Sequence, residues 1–416
     1  DYSQKMIKDF LNSLEGYIKL ILIFFLIINK SFSQVMPSSF GIHNNKSTSQ
    51  QVNYALSFDG SNDYISTNGG TISSAWSVEV WFKKASNKSA HNLTNNANSG
   101  NSGTWSLRLA QWNNINKVGI TKYGVKDYYI NDSKANLSID TWEHVAWTYQ
   151  NNLVTVYING ESLGSTYSRG PLANGAILYW NLIGKSSITI HGEIDEFRVW
   201  SDVRTPTELK DNMFKELNGD ETGLVAYYKM TNASGTTVTD NSSNTYNGTM
   251  INMSTDDWVT SYAPIGNLNN SYQTDVEGLW KKTATTNSES SDGLQMSVSS
   301  ELAEANFAVF GNNNTSGTST SDLPPGESLQ KRSSRIWQVD EVGTVSASVI
   351  IDISDATANN ISPAAASNYK LLYKSCVGCD FTVNASGSNS SSDAITFSNI
   401  ALQDGFYAIA STDSNL

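Results

Sequence analysis

The chain has 416 residues, enough for two or three domains with a sizeable core. A net charge of -12 at pH 7 excludes nucleic acid and anionic membrane surfaces as partners, since both select clustered Lys and Arg; an acidic surface suits divalent cations and neutral polymers. Only 16% of residues are charged, while 11 Trp and 19 Tyr are spread through short apolar runs separated by Asn, Ser, Thr and Gly, the composition of an exported all-β protein.

Lys5, Lys8 and Lys19 precede the apolar run 20–28, and the small residues Ser31 and Ser33 follow it. Residues 1–33 are therefore expected to be a secretory signal peptide with upstream residues, cut before Gln34, with Met6 the true start. The run is too short to span a bilayer, which needs about 20 apolar residues, so no integral membrane segment is expected after cleavage. The polar, aperiodic stretch 34–51 is expected to be a linker.

A first domain is expected over 52–264. Strands at 54–58 and 64–65 flank the turn Asp59-Gly-Ser-Asn-Asp63, and clean alternation predicts a strand at 76–82. The polar segment 87–103 is expected to be a solvated surface loop. Further strands are expected at 105–111, 118–123, 142–149, 153–158 and 176–183, with hairpin turns at 150–152 and at Asn159-Gly160. Many short antiparallel strands at this spacing make a two-sheet sandwich or jelly roll.

The stretch from His191 to Trp200 joins apolar alternation to a carboxylate cluster. Strict alternation puts Glu193, Asp195, Phe197 and Val199 on one face and Ile194, Glu196, Arg198 and Trp200 on the other. Phe197 and Val199 then face the core, Glu196 and Arg198 form an ordinary ion pair, and Asp195 needs a cation, donor or water where the strand enters the sheet. A helix follows, with Thr205 as N-cap, Pro206 in the first turn and Glu208 closing a capping box, and it is expected to run to Asn218-Gly219. Leu209, Met213, Phe214 and Leu217 pack it on the sandwich. A strand at 223–230 and turn-rich sequence at 237–249 complete the domain.

From 265 to 416 strand candidates at 305–311, 334–339, 345–353, 369–373 and 405–410 are enough for a smaller accessory β domain, with 315–325 as a loop. Cys376 and Cys379, the only cysteines, lie between strand candidates in a chain expected to be exported, so a disulfide across a hairpin turn is expected. The sequence stops straight after a strand and is taken to be part of a longer protein.

Four separated pieces resemble the laminin-G-like jelly roll, a concanavalin A-like lectin fold: 55–65, Trp142-Glu-His-Val-Ala-Trp147 with Val156-Tyr-Ile-Asn-Gly160, Gly192-Glu-Ile-Asp-Glu-Phe-Arg-Val-Trp200, and 239–244 with Asn247-Gly-Thr249. The likeness covers about half the chain and implies an all-β fold, a laminin-G-like jelly-roll sandwich followed by a second, smaller β domain. The C-terminal part is more weakly similar to accessory β domains of type IX-secreted bacterial surface proteins. In this family the first and last strands are neighbours, so the resemblance implies that Asp59 or Asp63 meets Asp195 around one structural Ca²⁺.

Asp59, Asn62 and Asp63 supply the oxygens that calcium needs; the competing reading is that they cap their own turn. The scattered His43, His91, His144 and His191 make no zinc site. Glu193-Ile-Asp-Glu196 resembles the Glu-x-Asp-x-Glu strand of laminarinase-type glycosidases, but Phe197 stands at the third carboxylate position, so no catalytic residues are assigned and the chain is expected not to be an enzyme. Aromatic residues and amides are the remaining signal: Trp112, Tyr128, Tyr129 and Trp180 are the candidate ligand-stacking residues, with amides from 95–98 and 112–114, although most aromatics in this region are expected to be core. The expected function is a secreted or cell-surface binding module that recognises a glycan or another surface protein in adhesion, with no nucleic-acid partner. The alternatives are an accessory lectin domain of a polysaccharide hydrolase whose catalytic part lies outside this chain, and a spacer that binds nothing.

Overall fold

The chain divides into Asp1–Gln51 and Val52–Leu416. A computed structural model describes residues 53–416 apart from 88–89, 96–101, 113–114, 166, 168–174, 186–187, 282–287, 360–361, 364 and 413–415. The expected signal peptide and linker lie outside the described residues.

The first sandwich begins with β1 (Tyr54–Asp59), β2 (Tyr64–Thr67), β3 (Thr71–Ile72), β4 (Trp76–Lys84), β5 (His91–Asn92) and β6 (Thr94–Asn95). It continues with β7 (Trp105–Ala110), β8 (Gly119–Lys122), β9 (Lys126–Tyr129), β10 (Trp142–Gln150), β11 (Leu153–Ile158), β12 (Glu161–Gly164), β13 (Leu178–Tyr179) and β14 (Leu182–Ile183). The last strands are β15 (His191–Trp200), β16 (Leu224–Tyr228), β17 (Thr237–Val238), β18 (Gly248–Ile251) and β19 (Trp258–Thr260). One layer is an eight-stranded sheet ordered β12-β11-β10-β4-β15-β1-β19, with β16 paired to β15. The facing layer consists of β17-β18-β2-β14-β6, β5-β7-β8-β9 and the pair β13-β3. The expected jelly-roll architecture is thus present.

Alternation explains which side chains fill the space between the layers. Trp76, Val78, Val80 and Phe82 of β4 and Val145, Trp147 and Tyr149 of β10 point inward, leaving Glu79, Trp81 and His144 on the opposite face of the same sheet. β15 departs from this rule. A β-bulge between Asp195 and Arg198, with Glu196 at φ +51°, shifts the register by a residue. Ile194, Phe197 and Val199 all reach the core, so the expectation that Asp195 and Phe197 share a face is corrected: the bulge reverses the alternation between them.

The outer face of this sheet is covered by α1 (Pro206–Met213). Its capping box is present: Glu208 N–H donates to Thr205 Oγ1 at 3.2 Å, and Thr205 N–H to Glu208 Oε2 at 2.8 Å. The helix stops earlier than Asn218-Gly219, because Phe214 leaves helical geometry and its carbonyl accepts Gly266 N–H at 2.8 Å.

A second sandwich follows. An eight-stranded sheet that includes Thr274–Leu279, Phe307–Asn312, Trp337–Val342 and Gly405–Ser411 packs on a five-stranded sheet that includes Ser346–Asp352 and Ala394–Ala401. Its core holds Phe310, Trp337, Val349, Phe397 and Tyr407. The stretch expected to be a loop at 315–325 contains the short strand Thr318–Ser319. Cys376 and Cys379 form the expected disulfide.

The two sandwiches share an apolar cluster in which Trp81, Trp142 and Phe214 meet Trp280, Val276 and Phe307. Trp280 Nε1 donates to the Trp142 carbonyl at 3.0 Å, and Trp81 Nε1 to the Met213 carbonyl at 2.7 Å. Lys83 bridges Glu193 at 2.8 Å and Glu304 at 2.5 Å across the same junction.

Candidate functional site

The carboxylates around β15 are buried and paired. Asp195 Oδ2 accepts from Ser261 Oγ at 2.6 Å and Asn53 Nδ2 at 3.2 Å, and Oδ1 from Glu196 N–H at 2.8 Å. Burial, with the neighbouring Glu196 charge adding to it, pushes the Asp195 carboxyl well above its ordinary value. Arg198 sits 2.6 Å from Glu196 and 3.6 Å from Glu79, and donates to the Asn212 and Lys215 carbonyls. The expected Glu196–Arg198 ion pair is therefore real but lies beneath α1, not in solvent. Tyr227 OH donates to Glu196 at 2.5 Å, while Trp200 Nε1 donates to Glu79 at 2.9 Å and His144 Nε2 lies 3.0 Å from it. A glycosidic bond needs an open carboxylate pair. Here Glu193 is salt-bridged to Lys83 and Asp195 is fully buried.

The turn at Asp59 and the carboxylate at Asp195 are not brought together. Asp59 pairs with His191, four positions along β15 from Asp195, which is about 13 Å of strand. Asp59 Oδ1 accepts Ser61 N–H at 2.6 Å and Asn62 N–H at 3.4 Å, and Asp63 Oδ2 accepts Asp59 N–H at 2.8 Å. These are the turn-capping bonds of the competing reading. Among the described residues no group of three or more His, Cys, Asp or Glu is arranged to hold a metal.

Of the four candidate stacking residues, two belong to the core. Tyr128, opposite Ile120, faces inward and packs against Trp105 and Tyr167 at ring distances of 6.2 and 6.1 Å. Trp180 is buried against Tyr246 and beneath Gly69, where a Cβ would fall 2.2 Å from the indole nitrogen. Neither ring can meet a ligand without unfolding the layer, so both assignments are corrected. Trp112 is 44% exposed in the turn after β7, and Tyr129 is half-buried on the outer face. The expected surface loop is also partly corrected: its described residues include β5 and β6, where His91, Asn92, Thr94 and Asn95 are buried. Their amides are bonded within the protein, since Asn92 Nδ2 and Asn95 Nδ2 both donate to the Lys185 carbonyl just after β14, at 2.9 and 3.2 Å. The amides of 96–98 and 113–114 lie outside the described residues.

What alternation buries on the inner face of β7, β8 and β9 it answers with a polar outer face. One cross-strand row runs Asn92, Arg108, Gly119, Tyr129 and the next runs Ser106, Thr121, Asp127. Arg108 Nε donates to Thr121 Oγ1 at 3.2 Å and Nη2 to Tyr123 OH at 3.1 Å. Its guanidinium carbon stands 5.4 Å from the Tyr123 ring centre. Asn95 Nδ2 also reaches Tyr123 OH at 3.3 Å, and Thr121 Oγ1 lies 2.8 Å from Asp127. Lys185 Nζ donates to Tyr64 OH at 3.1 Å and stands 4.2 Å from that ring's centre. Tyr64, Tyr123, Tyr129, Asp127 and Lys185 are half-buried, so tyrosine rings, a carboxylate and an ammonium share one partly open face above the buried Asn95 and Arg108. Sequence reasoning had raised Tyr123, Tyr129 and Asn95 as candidate ligand contacts and gave Tyr64, Arg108, Thr121, Asp127 and Lys185 no binding role. A signal was present: residues 105–130 carry Arg108, Lys117, Lys122 and Lys126 against Asp127 alone, in a chain of net charge -12.

Fold and topology define this sandwich as a laminin-G-like jelly roll. Residues 59–210 match the family model described as the concanavalin A-like lectin/glucanases superfamily. Among solved structures, the chain is similar to a putative carbohydrate binding protein from Bacteroides ovatus, at 24% identity and a TM-score of 0.40, over 52% of this chain and 62% of that one. It thus spans less than two thirds of that protein's length. Domain 4 of an extracellular arabinanase from Geobacillus stearothermophilus, solved with arabinotriose, is similar at 19% identity and a TM-score of 0.26, covering 38% and 75% of the two chains. A sialidase CBM40 from Ruminococcus gnavus, solved with α2,3-sialyllactose, is similar at 13% identity and a TM-score of 0.27, covering 38% and 94%. A comparison with curated proteins gave no match. None of these findings supports the type IX resemblance of the C-terminal part.

Proposed function

We propose that the chain is an exported, non-catalytic binding module whose first sandwich takes a glycan on the outer face of β7, β8 and β9. The observation that carries this reading is the asymmetry of the sandwich. The outer face of the eight-stranded sheet lies under α1 and the second sandwich, whereas the opposite outer face presents half-buried tyrosines beside Arg108, Asn95 and Lys185. Sugars are recognised by such sets, because ring faces stack on C–H surfaces while amides and charged donors bond hydroxyls. Burial of the carboxylates on β15 argues against hydrolysis by that strand. Export rests on the N-terminal pattern of residues 5–33, and an adhesive role at the cell surface on the laminin-G-like fold. No helix of the described residues is long and apolar enough to cross a membrane. Calcium enters only as a proposal confined to the Asp59, Asn62 and Asp63 turn. A glycan array probed with the intact chain tests the main reading, with Tyr129→Ala expected to lose the signal.

A further inference from the structure

Of the three buried arginines among the described residues, Arg198 and Arg108 are partnered in opposite ways, while Arg332 lies 3.7 Å from the Asp322 carboxylate. Arg198 is surrounded by Glu196, Glu79 and two carbonyls, so its charge is matched where water is excluded. Arg108 is 3% exposed and has no carboxylate within ion-pair distance among the described residues. Its Nε and Nη2 reach only the neutral hydroxyls of Thr121 and Tyr123, and its Nη1 has no hydrogen-bond partner. Burial pulls this guanidinium below its ordinary value, with Tyr123 and Asp127 drawing it back. An unmatched buried cation with an idle donor is costly, and an arriving anion would offset that cost.

We propose, building on the glycan-binding reading above, that the ligand is an acidic glycan and that Arg108 receives its carboxylate. Arginine suits this role because its planar fork meets a carboxylate with two parallel N–H donors. Only Nη1 is idle now, so the two-point contact forms when Tyr123, half-buried and bonded to Nη2, turns aside and gives up that donor. Lys185, with its ammonium on the Tyr64 ring, adds a second positive charge on the same face. Local charge overrides the acid surface of the whole molecule, whose long-range repulsion is screened beyond about 8 Å at physiological salt.

The test is a binding titration of the intact chain with polygalacturonate and with a sialylated oligosaccharide, each beside its carboxyl-reduced, neutral counterpart. Binding to either acidic form, at least about tenfold tighter than to its reduced form and weakening as salt is raised, supports the proposal. Arg108→Gln should abolish that preference and Arg108→Lys restore part of it, with melting curves verifying that both variants fold. Equal binding of acidic and reduced forms, unchanged in Arg108→Gln, overturns the acidic-ligand inference while leaving glycan binding intact. Binding to neither, with a blank glycan array, removes the glycan reading itself. Capture of poly-glutamate without any glycan overturns the inference in favour of an acidic polypeptide.

Discussion

Asp195 shows how one buried carboxylate governs pH behaviour. Burial first, and Glu196 second, raise its carboxyl well above the ordinary value of 3.8. Between the unfolded value and this raised one the native state holds a proton that the unfolded chain has lost. Stability therefore falls as pH rises through that window. Asp195→Asn keeps the shape and removes the titration, so the difference in urea-denaturation free energy between variant and wild type should move in the variant's favour as pH rises from 4 upward, and parallel curves would contradict this. The alternating-strand reading named Asp195 as a residue needing a partner, and it has three donors. It could not say that Ser261 and Asn53 supply two of them beside the Glu196 N–H, because both come from segments distant in sequence.

At the scale of elements, the capping box of α1 and the long strands β1, β4, β7, β10, β11 and β15 were legible, since caps and alternation are local. The single strand expected at 176–183 is instead β13 and β14 in different sheets, and the turns expected at 237–249 include β17 and β18. The bulge was not legible either. A glutamate at positive φ leaves no mark in the residue pattern, yet it moves Phe197 and Asp195 to opposite faces and defeats the paired-carboxylate comparison. Tyr128 and Tyr129 were both named because no strand was expected at 126–129, so no alternation was at hand to choose a face; the register of β9 resolves them to one core and one surface ring. The turn between β1 and β2 carries the remaining calcium proposal. An ion bound there would stabilise the fold by about 2.7 kcal/mol at a hundredfold excess over its dissociation constant. EGTA should lower the melting temperature; Asp59→Asn should abolish that sensitivity, and Asp195→Asn, about 13 Å away along the strand, should retain it. A melting temperature indifferent to EGTA would leave the turn held by its own hydrogen bonds.

For the whole molecule, the two sandwiches are joined by a tryptophan-rich interface that sequence reading did not foresee. Trp81 and Trp142 are spaced as outward residues and so pass for surface aromatics until Trp280 covers them, at 5.9 Å from the Trp81 ring. Trp280→Ala should cost about 3–5 kcal/mol and split one thermal transition into two, followed by calorimetry. A single unshifted transition would show that the sandwiches do not stabilise each other. The same sealing of one sheet face directs ligands to the other, and the direct test is isothermal titration of the intact chain with its best glycan from an array. Tyr129→Ala and Tyr64→Ala should each weaken binding about tenfold or more, whereas Val377→Ala, on an exposed loop of the second sandwich, should leave it unchanged. Full affinity in both tyrosine variants would contradict placement of the glycan on this face.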